Sequence, residues 1–179
     1  MMDTRTTALE FALDHFALDP EGPHGLHHWS QVCDIGYRLA DLEGADKAVV
    51  EMFALFHDLC RVGDGVDRGH GRRAAELVRH CRNILFDLDD RQFGSLWAAL
   101  AGHDCREAEH DDITVRVCWD AEQLTLPRFG ITPLPRLLHT ESGRSPEVIA
   151  WAVELAEIRG EPGKTPAAWT RVQSMESGA

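Results

Sequence analysis

Nine residues, Met52-Phe53-Ala54-Leu55-Phe56-His57-Asp58-Leu59-Cys60, set an imidazole beside a carboxylate inside an apolar run. Ala48, Val49 and Val50 extend the run upstream, so a helix over 46–61 has almost no polar face. A helix that is apolar all round is a buried one. Charged groups are almost never fully buried unless they are paired or bind a metal. His57 and Asp58 therefore need partners, and a divalent cation would serve. The simpler alternative is a helix end that breaks the surface, with His57 compensating the C-terminal dipole.

Other segments offer such partners. In a helix over 28–42, Val32, Ile35 and Leu39 follow His28 at i+4, i+7 and i+11, so His28 faces the core. His24 precedes that helix and either caps it or reaches into a site from the loop. His70 opens a helix over 70–88 whose buried stripe is Ala74, Leu77, Val78 and Cys81. His103 ends a helix over 90–103 and follows Leu96 and Leu100 on its inward face. Taken singly, each is simply a hydrogen-bonded core histidine. Residues 113–126 read as a further helix, although Ile113, Val115 and Val117 alternate as in a strand. Asp120 and Glu122 lie on it about 200° apart, both on apolar faces, so periodicity does not choose which looks inward. Arg72 and Arg73 stand in the first turn of the 70–88 helix, where cations oppose the dipole. They either bind an anion or are solvated.

Residues 6–18 form a short helix, ended by the turn 19–23. Residues 127–146 contain four prolines and read as a long irregular loop, a kind that is usually functional. Ser145 is an N-cap with Pro146 at the first helical position, and a helix follows to residue 158. The expected organisation is all-α and single-domain. Residues 1–23 are an N-terminal helix and turn, 24–160 the helical metal-binding domain, and 161–179 a tail.

The net charge of −12 argues against a nucleic-acid polymer as partner. It leaves room for a small phosphorylated substrate, whose charge a metal neutralises locally. No apolar run reaches the roughly 18 residues of a membrane span, and no signal-peptide core is present. The five cysteines form no CxxC pair, which fits reduced thiols in a cytoplasmic protein.

Helices packed in a bundle can project His28, His57, Asp58, His70, His103 and a carboxylate near 120 into one pocket. Such a donor set suits Mn, Fe, Ni, Zn or Mg. In these pieces the chain resembles the HD-domain superfamily of metal-dependent phosphohydrolases. The matching stretches are His28-Trp29-Ser30-Gln31-Val32, His57-Asp58, His70-Gly71-Arg72-Arg73-Ala74-Ala75 and Trp119-Asp120-Ala121-Glu122-Gln123-Leu124. They lie within about residues 24 to 130.

The resemblance implies an HD-type helical bundle around one or two divalent cations. His28, His57 and Asp58 match metal ligands. His70 and His103 match the extra histidines of two-metal subfamilies, in which Asp58 would bridge the ions. In single-metal subfamilies such histidines contact the substrate phosphate or act as acid and base. The family often writes the last stretch Asp-Ala-Asp-Arg-Leu-Asp, with the second aspartate on the metal. Here Glu122 stands at that position, Gln123 and Thr125 replace the arginine and the third aspartate, and Asp120 matches the first.

The implied activity is hydrolysis of a phosphate ester of a nucleotide or other small metabolite by metal-activated water. Asp58, His70 and His103 would carry the chemistry, and Arg72, Arg73, Arg128 and His24 would hold the substrate. Two other functions fit the same residues. One is a diiron oxygenase of the same superfamily, cleaving C–C or C–P bonds. The other is a non-catalytic metal- or ligand-binding module, suggested by the altered Asp-Ala-Glu-Gln-Leu-Thr stretch.

Overall fold

Thr7 starts the first helix through a reciprocal cap. Its hydroxyl accepts from the Glu10 backbone N–H at 3.1 Å, and the Glu10 carboxylate accepts from the Thr7 N–H at 2.7 Å. The computed structural model describes residues 6–105, 108–157 and 165–171, and over these the chain is all-helical with no strand. The helices are α1 Ala8–His15, α2 Leu26–Glu43, α3 Lys47–Phe56, α4 His70–Val78, α5 Asp90–Gly102, α6 Ile113–Gln123, α7 Pro146–Glu157 and α8 Ala167–Thr170. None is long and apolar enough to cross a membrane.

Helix α3 lies at the centre and packs against α1, α2, α5, α6 and α8. Its residues from Val49 to Phe56 are all buried except Glu51, as an all-round apolar pattern demands. Asp46 caps it by accepting from the N–H groups of Ala48 and Val49. Phe53, Leu55 and Phe56 are fully enclosed. Each such side chain contributes about 1.5–3 kcal/mol relative to exposure. Helix α2 crosses α3 closely at Gly36, where an added Cβ would lie 2.5 Å from Val50 Cγ1.

Three differences from expectation exceed one helical turn. Helix α3 stops at Phe56, so His57 and Asp58 fall in tight turns, with Leu59 N–H bonded to Phe56 O and Arg61 N–H to Asp58 O. Helix α4 stops at Val78 rather than near Leu88. Asn83 adopts φ 62°, a left-handed conformation that asparagine tolerates, and the turned segment buries Leu85, Phe86 and Leu88. The segment assigned to a tail holds α8, whose Trp169 is buried and donates Nε1–H to Glu51 O at 2.9 Å. Residues 158–164 and 172–179 of the predicted helix end and tail lie outside the described residues. The proline-containing stretch does form an irregular loop, broken only by short 3₁₀ turns at Leu126–Phe129 and Pro135–Leu137.

Candidate metal centre

The polar side chains of interest stand at helix ends that meet at one place. His28 is in the first turn of α2, and His57 and Asp58 follow α3 directly. His70 opens α4, His103 follows α5, and Glu122 is in the last turn of α6. Helix C-termini leave carbonyls without an intrahelical partner. Two of the histidines use them: Nδ1 of His57 lies 3.0 Å from Ala54 O, and Nδ1 of His103 lies 2.8 Å from Leu100 O. His70 does the same on a loop, with Nδ1 2.6 Å from Asp67 O. A carbonyl only accepts, so each Nδ1 carries a proton and each Nε2 is the nitrogen turned to the centre.

Two donor sets result, and they share one residue. In the first, His28 Nε2 lies 3.0 Å from His57 Nε2, 3.4 Å from Asp58 Oδ2 and 3.1 Å from Glu122 Oε2. His57 Nε2 is 3.5 Å from Asp58 Oδ2 and 3.3 Å from Glu122 Oε2. In the second, Asp58 Oδ1 is 3.1 Å from His70 Nε2 and 4.0 Å from His103 Nε2, and the two imidazole nitrogens are 2.8 Å apart. Metal–ligand bonds of about 2.0–2.1 Å put neighbouring donors roughly 3.0–3.4 Å apart, close to most of these separations. The buried groups His28, His57, Asp58, His70 and His103 could therefore hold a metal ion.

The donor chemistry agrees. Glu122 Oε2 is buried without a hydrogen-bond donor of its own. Only one of two facing Nε2 atoms can carry a proton, so each histidine pair leaves a lone pair aimed inward. Burial opposes charge on His57, but the Asp58 and Glu122 carboxylates outweigh it and raise its pKa to about 10. The first set thus favours one positive charge, whether a proton or a cation. Burial, with His57 and His70 nearby, lowers His103 to about 4 and keeps it a neutral donor. Asp58 and Glu122 stay well below the usual carboxylate range, because neighbouring imidazoles overcome the cost of burying them.

Glu122, not Asp120, is the carboxylate that joins the centre. Asp120 is fully buried on the opposite side of α6. It accepts from His139 N–H at 2.7 Å, Thr140 N–H at 2.8 Å and Thr140 Oγ1 at 2.6 Å, and so anchors the end of the irregular loop. Two predicted anion-binding arginines are also elsewhere. Arg72 is exposed, pairs with Glu76 at 3.4 Å and lies over the Trp97 ring. Arg73 spends its guanidinium on Asp67 at 2.7 Å and Cys60 O at 2.9 Å. It therefore fastens the 62–69 loop to α4. His24 is buried near the centre, its ring centroid 6.2 Å from that of His28, but its Nδ1 is 2.9 Å from Asp64.

Arg128 does reach the centre. Its Nη2 lies 3.4 Å from His28 Nε2 and 3.6 Å from Glu122 Oε1. With His28 it lines a cleft of about 580 Å³ whose other walls include Pro20, Pro23, Leu26 and Phe129. His103 lines a second cleft of about 270 Å³ with Trp119, Gln123 and Leu126. Two contributors escape sequence reasoning. Arg61 is buried, with Nη1 3.5 Å from Asp58 Oδ1 and 3.3 Å from His70 Nε2; its position three residues after Asp58 was the available signal. Gly71 lets α4 approach α5, since an added Cβ would lie 2.7 Å from His103 Nδ1 and closer still to Leu100 O. No protein-family model, curated protein or solved structure matches the chain.

Proposed function

We propose that the chain is a metal-dependent phosphohydrolase of the HD-domain type, acting on a phosphate ester of a nucleotide or another small metabolite. The observation that carries this reading is the division of Asp58 between two donor sets, its Oδ2 facing His28 and His57 and its Oδ1 facing His70. His28, His57, Asp58 and Glu122 would hold one divalent ion, and Asp58, His70 and His103 a second. Such ions polarise a phosphoryl oxygen and lower the pKa of water.

The chain's own groups supply the rest. Arg128 borders the larger cleft, where its guanidinium can pair with a phosphate. The cleft lies within the usual range of about 300–1,000 Å³ for small-ligand sites, and its apolar walls suit a base or another flat organic moiety. Were only the first ion bound, His103, neutral and lining the second cleft, would have its Nε2 free to exchange a proton. The five cysteines are free, in keeping with a cytoplasmic location. The reach of Glu122 into the first set favours a working site over a degraded one.

The same imidazole–carboxylate sets also suit a diiron oxygenase. The deciding experiment is metal analysis of the purified protein, with phosphate esters screened under added Mn²⁺, Ni²⁺ or Mg²⁺. Phosphate release that disappears in His57→Ala and Asp58→Ala, both still folded, supports the hydrolase. Two irons per chain with substrate-dependent oxygen uptake and no phosphate release support the oxygenase.

A further inference from the structure

The two donor sets are not equivalent, because an arginine already sits on one of them. We propose that Arg61 is a built-in cation of the second set, which makes the two metal sites fill at unequal affinity. The inference rests on the metal-centre reading above.

Three observations support it. First, Arg61 Nη1 addresses two of the three donor atoms of the second set, Asp58 Oδ1 at 3.5 Å and His70 Nε2 at 3.3 Å. His70 Nδ1 is committed to Asp67 O, so Nε2 offers the lone pair that either an N–H or a metal would take. Only His103 Nε2 is left without the guanidinium. Arg128 intrudes less on the first set. Of its four ligand atoms, Arg128 meets only His28 Nε2, at 3.4 Å, and it pairs with the outer oxygen of Glu122.

Second, Arg61 is buried, yet its Nε has no hydrogen-bond partner. The guanidinium is thus directed by the donor set rather than locked in a complete cage of acceptors. Third, its other anchor is a single loop carbonyl rather than a second carboxylate: Nη2 donates to Gly65 O at 2.7 Å, in a loop where Val62 and Val66 are exposed. A second metal ion would compete with the guanidinium for Asp58 Oδ1 and His70 Nε2, and would meet its charge at close range. Like charges this close repel strongly in a partly buried site.

The test is a titration of chelator-stripped protein with Mn²⁺, followed by calorimetry and by the electron paramagnetic resonance signal of free Mn²⁺. The wild type should show one tight site and a second that is weaker by roughly tenfold or more. His28→Ala should remove the tight site and His70→Ala the weak one. In Arg61→Met the weak site should tighten by about tenfold while the tight site is unchanged.

The proposal is overturned if both wild-type sites fill with equal affinity, or if His70→Ala removes the tight site. It is also overturned if a folded Arg61→Met binds the second ion no better. The wild-type and histidine results decide the matter even if Arg61→Met does not fold. Absence of any Mn²⁺ binding by the wild type would instead bring down the metal-centre reading itself, and this inference with it.

Discussion

Asp58 Oδ1 lies 3.1 Å from His70 Nε2, while the other oxygen of the same carboxylate faces His28 at 3.4 Å. One side chain therefore belongs to both donor sets. Asp58→Ala should abolish metal binding at both, with affinity falling roughly a hundredfold or more. His70→Ala should affect one set alone. Elemental analysis of dialysed protein, with circular dichroism as a check of fold, would read the difference.

Asp120 and Glu122 should separate stability from metal binding. Asp120→Ala strips a buried loop of an acceptor for three hydrogen bonds. It should lower the unfolding free energy by about 2–4 kcal/mol and leave metal content intact. Glu122→Gln should do the reverse, with little loss of stability and weakened binding at the first set. Denaturant melts and metal analysis of the two variants together would check this.

Gly71→Ala places a methyl group against Leu100 O and the His103 ring. Overpacking of this kind costs about 1–3 kcal/mol. Because His103 must shift, the second ion should be lost before the first. A metal titration of the variant, compared with its melting temperature, would show whether the loss is selective.

The cysteines should differ sharply in reactivity. Burial pushes the Cys33 and Cys118 thiols well up and raises Cys81 to about 11, and half-buried Cys60 is raised as well. Cys105 is exposed. Thiolates, not thiols, react with alkylating reagents. Native protein at neutral pH should therefore be modified first at Cys105, and the others only on unfolding, as mass spectrometry of iodoacetamide-treated protein would reveal.

The sequence by itself determined the helical class and the inward orientation of His28, His70 and His103. Orientation follows from the period of the apolar residues, a local property that burial acts on directly. Local chemistry was less sufficient where a chain can satisfy burial in more than one way. Residues 79–88 look like a continuing helix, yet Asn83 turns left-handed and Leu85, Phe86 and Leu88 are buried from a loop instead. Arg72 and Arg73 are adjacent and similar, but the remote ring of Trp97 and the loop carboxylate of Asp67 draw them away from the centre.

The tertiary structure alone decided between Asp120 and Glu122. Helix α6 is covered on both sides, so its pattern is apolar on both and carries no preference. Only the packing of the 138–143 segment against one face and of α2 and α3 against the other assigns Asp120 to a loop and Glu122 to the centre. The same holds for the two-sided use of Asp58. That a carboxylate beside His57 is buried can be read from the apolar run around it. That its two oxygens face different histidines depends on where four other helices end.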